Sequence, residues 1–177
     1  MSIKIGIMQG RLSHSINNTI QAFPEKSWVE EFELSQKINL NSIEWIFDTF
    51  EKNPIMNKQI SEINQYISKF QIKVNSICAD YFMINKIFNE SEKNIKKNLE
   101  VLKKLAINSK KIGAKIIEIP LVDSSSLKSE KDKKELVTNL KKVIPEIKKL
   151  GLILTLETDL PPKEFLNLLE MFEKNTV

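Results

Sequence analysis

Residues 152–162 read Leu-Ile-Leu-Thr-Leu-Glu-Thr-Asp-Leu-Pro-Pro. In an extended chain, alternation puts Leu152, Leu154 and Leu156 on one face and Ile153, Thr155 and Glu157 on the other. The leucine face suits a layer of helices. The opposite face ends in a carboxylate, which is costly to bury unless it is paired or holds a cation. Pro161 and Pro162 suit the first turn of a following helix that carries Phe165, Leu168, Leu169 and Phe172.

The same unit recurs upstream. Apolar runs at Ile3–Met8, Ser42–Phe47, Lys73–Cys78 and Lys115–Ile119 precede the run at Leu152–Glu157, with starts about 30–43 residues apart, room for one crossover helix each. Between them, apolar residues recur every three or four positions, which predicts helices that lay one stripe on a sheet. Trp28, Phe32 and Ile38 mark the first helix; Ile60, Ile63, Ile67 and Phe70 mark the second. Ile95, Leu99, Leu102, Leu105 and Ile112 mark a long third, ended by Gly113. Leu136, Leu140, Val143, Ile147 and Leu150 mark a fourth, ended by Gly151 and kinked or split at Pro145.

Strand followed by helix, five times over, predicts an α/β fold of parallel strands joined by right-handed crossovers. Eight such units close a TIM barrel of about 250 residues. The expectation is therefore an incomplete (β/α)8 barrel: the first five βα units, strands in the order 1-2-3-4-5, as one domain over residues 1–177, in a truncated form that stops after the fifth helix. The competing arrangement is a complete open sheet of the flavodoxin-like kind. No strand-to-helix turn carries a phosphate-cradling glycine pattern, Gly6 and Gly10 alone being weak.

Composition narrows the function classes. The net charge of +4 is mild and does not by itself call for nucleic acid or an anionic membrane. No apolar run reaches the roughly 18 residues of a membrane span, and the opening Met1-Ser2-Ile3-Lys4 lacks a signal-peptide layout, so a cytoplasmic location is expected. Cys78 is the only cysteine, which excludes an intrachain disulfide and a cysteine-built zinc site; it reads as a small buried hydrophobe. The lysine pairs at 96–97, 103–104, 110–111, 141–142 and 148–149 read as solvated helix faces, without the interleaved aromatics of a base-stacking surface.

Barrel chemistry collects at the carboxyl ends of strands, and every run here delivers an acid or amide there. The first leads into Gln9-Gly10-Arg11, the second holds Glu44 and runs to Asp48, and the third leads to Asp80. The fourth holds Glu118 and leads to Asp123; the fifth holds Glu157 and leads to Asp159. Glu157 is the sharpest candidate, directed at the barrel axis. Glu44 either binds substrate or buttresses a neighbour. Arg11 is the only arginine in a lysine-rich chain, and its planar fork suits a carboxylate or a sugar oxygen, or else a loop-anchoring ion pair. His14, in the polar loop with Ser13, Ser15, Asn17 and Asn18, reads as a surface residue. Asp80 and Asp123 either meet a ligand or cap the loops they begin.

The segments IGIMQGRLS, IEWIFD, SICADYFM, IEIPLVD and LTLETDLPP resemble the xylose-isomerase-like barrel superfamily, and within it the bacterial sugar-phosphate isomerase/epimerase group. The resemblance covers this whole chain but only the amino-terminal part of the family pattern. It implies a divalent metal ion (Mn, Mg, Co or Zn) held by ligands from strands five to eight, of which Glu157 is the strand-five member. It implies a small sugar or sugar phosphate as partner and Glu157 as both metal ligand and catalytic base; Gln9, Arg11, Glu44, Asp80 and Asp123 are the substrate-binding candidates by their strand-end positions alone. The reaction implied is metal-assisted proton transfer beside a carbonyl, with this chain expected to be inactive for want of the other three ligands. Two alternatives stand beside it. One is a phosphodiesterase of the abasic-site endonuclease type, whose metal cluster needs histidines where this chain has Glu44 and Asp80. The other is a non-catalytic half-barrel that self-associates through its open edges.

Overall fold

The computed structural model describes residues 3–14, 21–57 and 59–172. Ser15, Asn17, Asn18 and the carboxy-terminal residues 173–177 lie outside them. Five strands, β1 (Gly6–Met8), β2 (Ser42–Ile46), β3 (Lys73–Cys78), β4 (Ile116–Leu121) and β5 (Ile153–Thr158), form one parallel sheet in the order β1-β2-β3-β4-β5. This is the expected order, with β1 and β5 at the two edges.

The helices are α1 (Trp28–Lys37), α2 (Ile60–Phe70), α3 (Tyr81–Ile84), α4 (Glu92–Lys111), α5 (Glu130–Lys141), α6 (Ile144–Lys149) and α7 (Pro162–Glu170). Gly113 and Gly151 both take left-handed backbone, at φ of 85° and 71°, and so terminate α4 and α6 as their spacing predicts. The fourth helical stretch is split: Pro145 falls in the first turn of α6, where its missing N–H costs nothing, and α5 stops before it. One expected stripe residue fails. Ile38 is exposed because α1 ends at Lys37 and the chain turns through Asn39 in the left-handed region. β1 is also shorter than its apolar run, and Ile5, although tied to Asn41 through both backbone and side chain, is 58% exposed at the sheet edge. Gly6 sits close to β2: an added Cβ would lie 2.5 Å from Ser42 Oγ and 3.2 Å from the Ser42 carbonyl oxygen, so a larger residue needs that hydroxyl to rotate away and the backbone to give slightly.

The two sheet faces are unlike. Ile43, Trp45, Val74, Ile117, Ile119, Leu152 and Leu154 are buried under the helices. Trp45 anchors that side: its ring lies 5.4 Å from Phe23 and 5.5 Å from Trp28, and its Nε1–H donates to Asn53 Oδ1 at 2.9 Å. Asn53 in turn donates to the Ile46 carbonyl at 2.8 Å, so the indole's one polar atom is satisfied inside the core. On the opposite face, register aligns Glu44 with Ser76, Cys78 with Glu118, Glu118 with Thr155, and Pro120 with Glu157. Ile153 on this inner face is 56% exposed while its neighbour Leu154 is 1% exposed, the alternation anticipated for β5.

Candidate functional site

The carboxyl ends of β2, β3, β4 and β5 surround a cavity of about 540 Å³ lined by Gln21, Asp48, Asp80, Asp123, Ser124 and Glu157, with Met83, Ile84, Pro120 and Val122 as its apolar parts. Four carboxylates therefore meet one space, and no lysine, arginine or histidine is among these residues. Such a wall offers acceptors, and it favours a ligand rich in hydroxyl donors over an anion.

Asp80 is the most constrained of the four. The Cys78 thiol donates to its Oδ1 at 3.1 Å, and Gln21 Nε2 donates to its Oδ2 at 2.8 Å. Burial nevertheless pushes the Asp80 carboxyl above its ordinary range, outweighing those two hydrogen bonds. The Cys78 thiol is likewise pushed up, first by burial and then by the charge of Asp80, so it stays protonated as a donor. Deeper on the inner face, burial and then the charges of Glu44 and Glu157 raise Glu118. Asp48 Oδ2 accepts from the Phe23 amide at 2.9 Å, while its Oδ1 is buried without a partner. Asp159, just past β5, accepts from Ser126 Oγ at 2.5 Å and is spent on tying that loop.

Of the positions singled out from the sequence, Glu157, Asp80 and Asp123 come together in this cavity. Glu157 is exposed and has no hydrogen-bond or ion-pair partner among the described residues. Glu44 is half-buried and accepts from Ser76 Oγ at 2.6 Å, the buttressing alternative for this residue. Gln9 is placed inside the protein: 1% exposed, it uses Oε1 to accept the Ile46 amide at 3.0 Å, and its Nε2 has no partner. Arg11 does not reach the cavity. It is exposed and makes no ion pair among the described residues, because the loop is held by its backbone instead: the buried Glu31 carboxylate accepts the Gly10 amide at 2.9 Å and the Leu12 amide at 3.1 Å. His14 is exposed, as expected. Gln21 and Asp48 join the site without having been selected. Asp48 carried the same strand-end signal as Asp80, whereas Gln21 sits in a polar loop 59 residues from its partner and carried none.

Among the described residues, no three His, Cys, Asp or Glu side chains converge to hold a metal ion. Glu157 is the single member present of the four-ligand set that the resemblance implies. The residues present therefore do not fit a complete metal centre.

A five-stranded parallel sheet in sequential order with helices on one face is the arrangement of the first five units of a TIM barrel. No protein-family model matches the sequence, and no curated protein matches it significantly. Solved structures do share the fold. A D-psicose 3-epimerase determined in the presence of D-fructose aligns with a TM-score of 0.74 at 13% identity, over 98% of this chain and 61% of its own. The 3-keto-D-glucoside 4-epimerase YcjR from E. coli aligns at 0.63 and 16% identity, over 88% of this chain and 56% of its own. The IOLI protein with a binding zinc atom aligns at 0.64 and 20% identity, over 88% of this chain and 51% of its own. This chain thus spans little more than half the length of the proteins it resembles. No described helix is long and apolar enough to cross a membrane.

Proposed function

We propose that this chain supplies the sugar-facing wall of a sugar or sugar-phosphate isomerase or epimerase that moves a proton beside a carbonyl. The observation that carries this is the pairing, in one cavity, of the unpartnered Glu157 carboxylate with Asp80, whose carboxyl retains its proton more readily than usual. Glu157 takes the proton from the carbon beside the carbonyl, and the C–H electron pair moves toward the carbonyl oxygen to give an enediol. Asp80 is suited to carry a proton to that oxygen. Delivery of a proton to the same carbon on its other face, by an acid outside this wall, gives the epimer, and return of the proton by Glu157 to the adjacent carbon gives the aldose–ketose isomer. Asp48 and Asp123 accept hydrogen bonds from the remaining hydroxyls. With no cation on this wall, the phosphate of a phosphorylated substrate would lie away from it.

The test is binding of D-fructose and its 6-phosphate to the purified protein, followed by saturation-transfer NMR, because three of the four ligands that turnover is expected to need are not on this wall. Saturable binding that weakens about tenfold or more in Glu157→Gln supports the reading. Binding unaffected by that change, or none with any ketose or aldose offered, overturns it.

A second reading is favoured by the edges of the sheet. Ile5 on the β1 side and Ile153 on the inner face of β5 are both more than half exposed, and β1 and β5 each pair on one side alone among the described residues. Unpaired edges with apolar side chains invite association of copies. Light scattering that shows a stable monomer at all concentrations disposes of this reading.

A further inference from the structure

The lysine pairs on α4 are not uniformly a solvated face. Lys97, Val101, Lys104, Asn108 and Lys111 recur at the alternating four- and three-residue spacing that keeps side chains along one side of a helix. In space this stripe borders two adjoining hollows of about 340 and 800 Å³ that share Phe50, Glu51 and Lys104. The aromatics that the lysines lack in sequence arrive from elsewhere: Phe50 follows β2, and Tyr81 belongs to α3. Ile60, half-buried at the start of α2, adds an apolar side chain to the second hollow, and Met56 behind it is buried in the core.

No carboxylate among the described residues lies within ion-pair distance of Lys97, Lys104 or Lys111. The recorded contacts of the latter two are a 4.8 Å approach of Lys104 Nζ to the Phe50 ring and a 3.5 Å hydrogen bond from Lys111 Nζ to Asn108 Oδ1. Glu100, at the rim, is already paired with Lys103 at 3.4 Å, and the exposed Glu51 stands among the same lining residues. The groove therefore presents three unpaired cations in a row, about 21 Å from first to last, beside Phe50 and Ile60, which are its partly exposed apolar side chains.

We propose that this groove docks an acidic amphipathic helix of a partner protein, laid along α4. Seven residues of any α-helix rise about 10.5 Å, so acids at heptad spacing on the partner meet Lys97, Lys104 and Lys111 in step, with apolar residues between them on the partly exposed Phe50 and Ile60. The length is too great for a mononucleotide. The stripe's spacing is that of a helix-packing seam, whereas a nucleic-acid backbone places its charges every few ångströms.

The probe is a labelled synthetic helix of about 18 residues with three glutamates at heptad spacing and leucines between them, followed by fluorescence anisotropy. The expected result is saturable binding at low salt, at least about tenfold tighter than for a scrambled peptide of the same composition. It should fall by at least about tenfold in Lys97→Glu/Lys104→Glu/Lys111→Glu and return when the peptide's glutamates are exchanged for lysines. All three side chains are exposed, so the variant should keep the far-UV dichroism of the parent. Equal binding of the scrambled peptide, preference for a thymidine oligonucleotide, or no saturation by about 1 mM peptide would overturn the proposal.

Discussion

The Cys78 thiol lies 3.1 Å from Asp80 Oδ1 and donates to it, two residues further along the chain at the mouth of the barrel face. Burial and the adjacent negative charge both hold the proton on sulfur. Native protein at about pH 8 is therefore expected to react with a disulfide reagent far more slowly than unfolded chain, by about 100-fold or more. Asp80→Asn removes the charge and should speed the native reaction by about a few-fold, burial being the larger cause. Reaction of the native thiol at the unfolded rate would contradict the placement of Cys78.

Glu31, Asp80 and Glu118 all have carboxyls raised above ordinary values of 4.5, 3.8 and 4.5, with burial as the largest cause in each. A raised folded pKa means that the native chain holds protons already released by the unfolded chain. Stability then falls as pH rises through the window between unfolded and folded values, and is level above it. Glu33 and Glu130 are lowered by lysine partners and pull the other way, but both are exposed and screened by solvent. Tm is expected to be higher at the acid end of that window than at neutral pH, and Asp80→Asn with Glu118→Gln should flatten the slope. Calorimetry across the weakly acid range decides it; an unchanged slope in the double variant removes these groups as its source.

Glu31 fixes the loop that carries Arg11 by accepting from the amides on either side of it. Glu31→Gln replaces one acceptor oxygen by a donor and leaves an amide unmatched, at an expected cost of about 1–3 kcal/mol in denaturant unfolding. Because Arg11 is the only arginine, an arginine-specific protease has one target in the chain. Its rate of cutting there should rise in Glu31→Gln, and no change would show that the loop is held by something else.

Lys133, on α5, reaches Glu130 at 2.7 Å and Glu164 of α7 at 2.8 Å, with 9% of its side chain exposed. This is the ion pair that joins the last helix to the body of the fold. Lys133→Met should lower Tm and speed amide exchange within residues 162–170 more than elsewhere. Uniform exchange rates along the chain would show that apolar packing alone docks α7.

The fold was legible because its signals are local. The alternation of Leu152 to Glu157 assigned both faces of β5, and Gly113, Gly151 and Pro145 marked where helices stop or break, since each acts through its own backbone. Ile38 misled because periodicity does not tell where a helix ends. The site was half legible. Glu157, Asp80 and Asp123 lie at strand ends, a position topology alone converts into proximity. Gln21 reaches Asp80 across a long sequence separation, and Glu31 reads as an ordinary helix acid although it holds the β1 loop. Arg11 attracted notice by rarity, which is no physical force, and the structure leaves it in solvent.

The unlike faces of the sheet divide what mutation can reach. Trp45 and Leu154 answer to the helices above them, and exchanging either disturbs the scaffold itself. Thr155 and Glu157, on the other side of β5, are packed by nothing comparable. Reactivity can therefore be rewritten on one side of this sheet at little expense to the architecture held by the other.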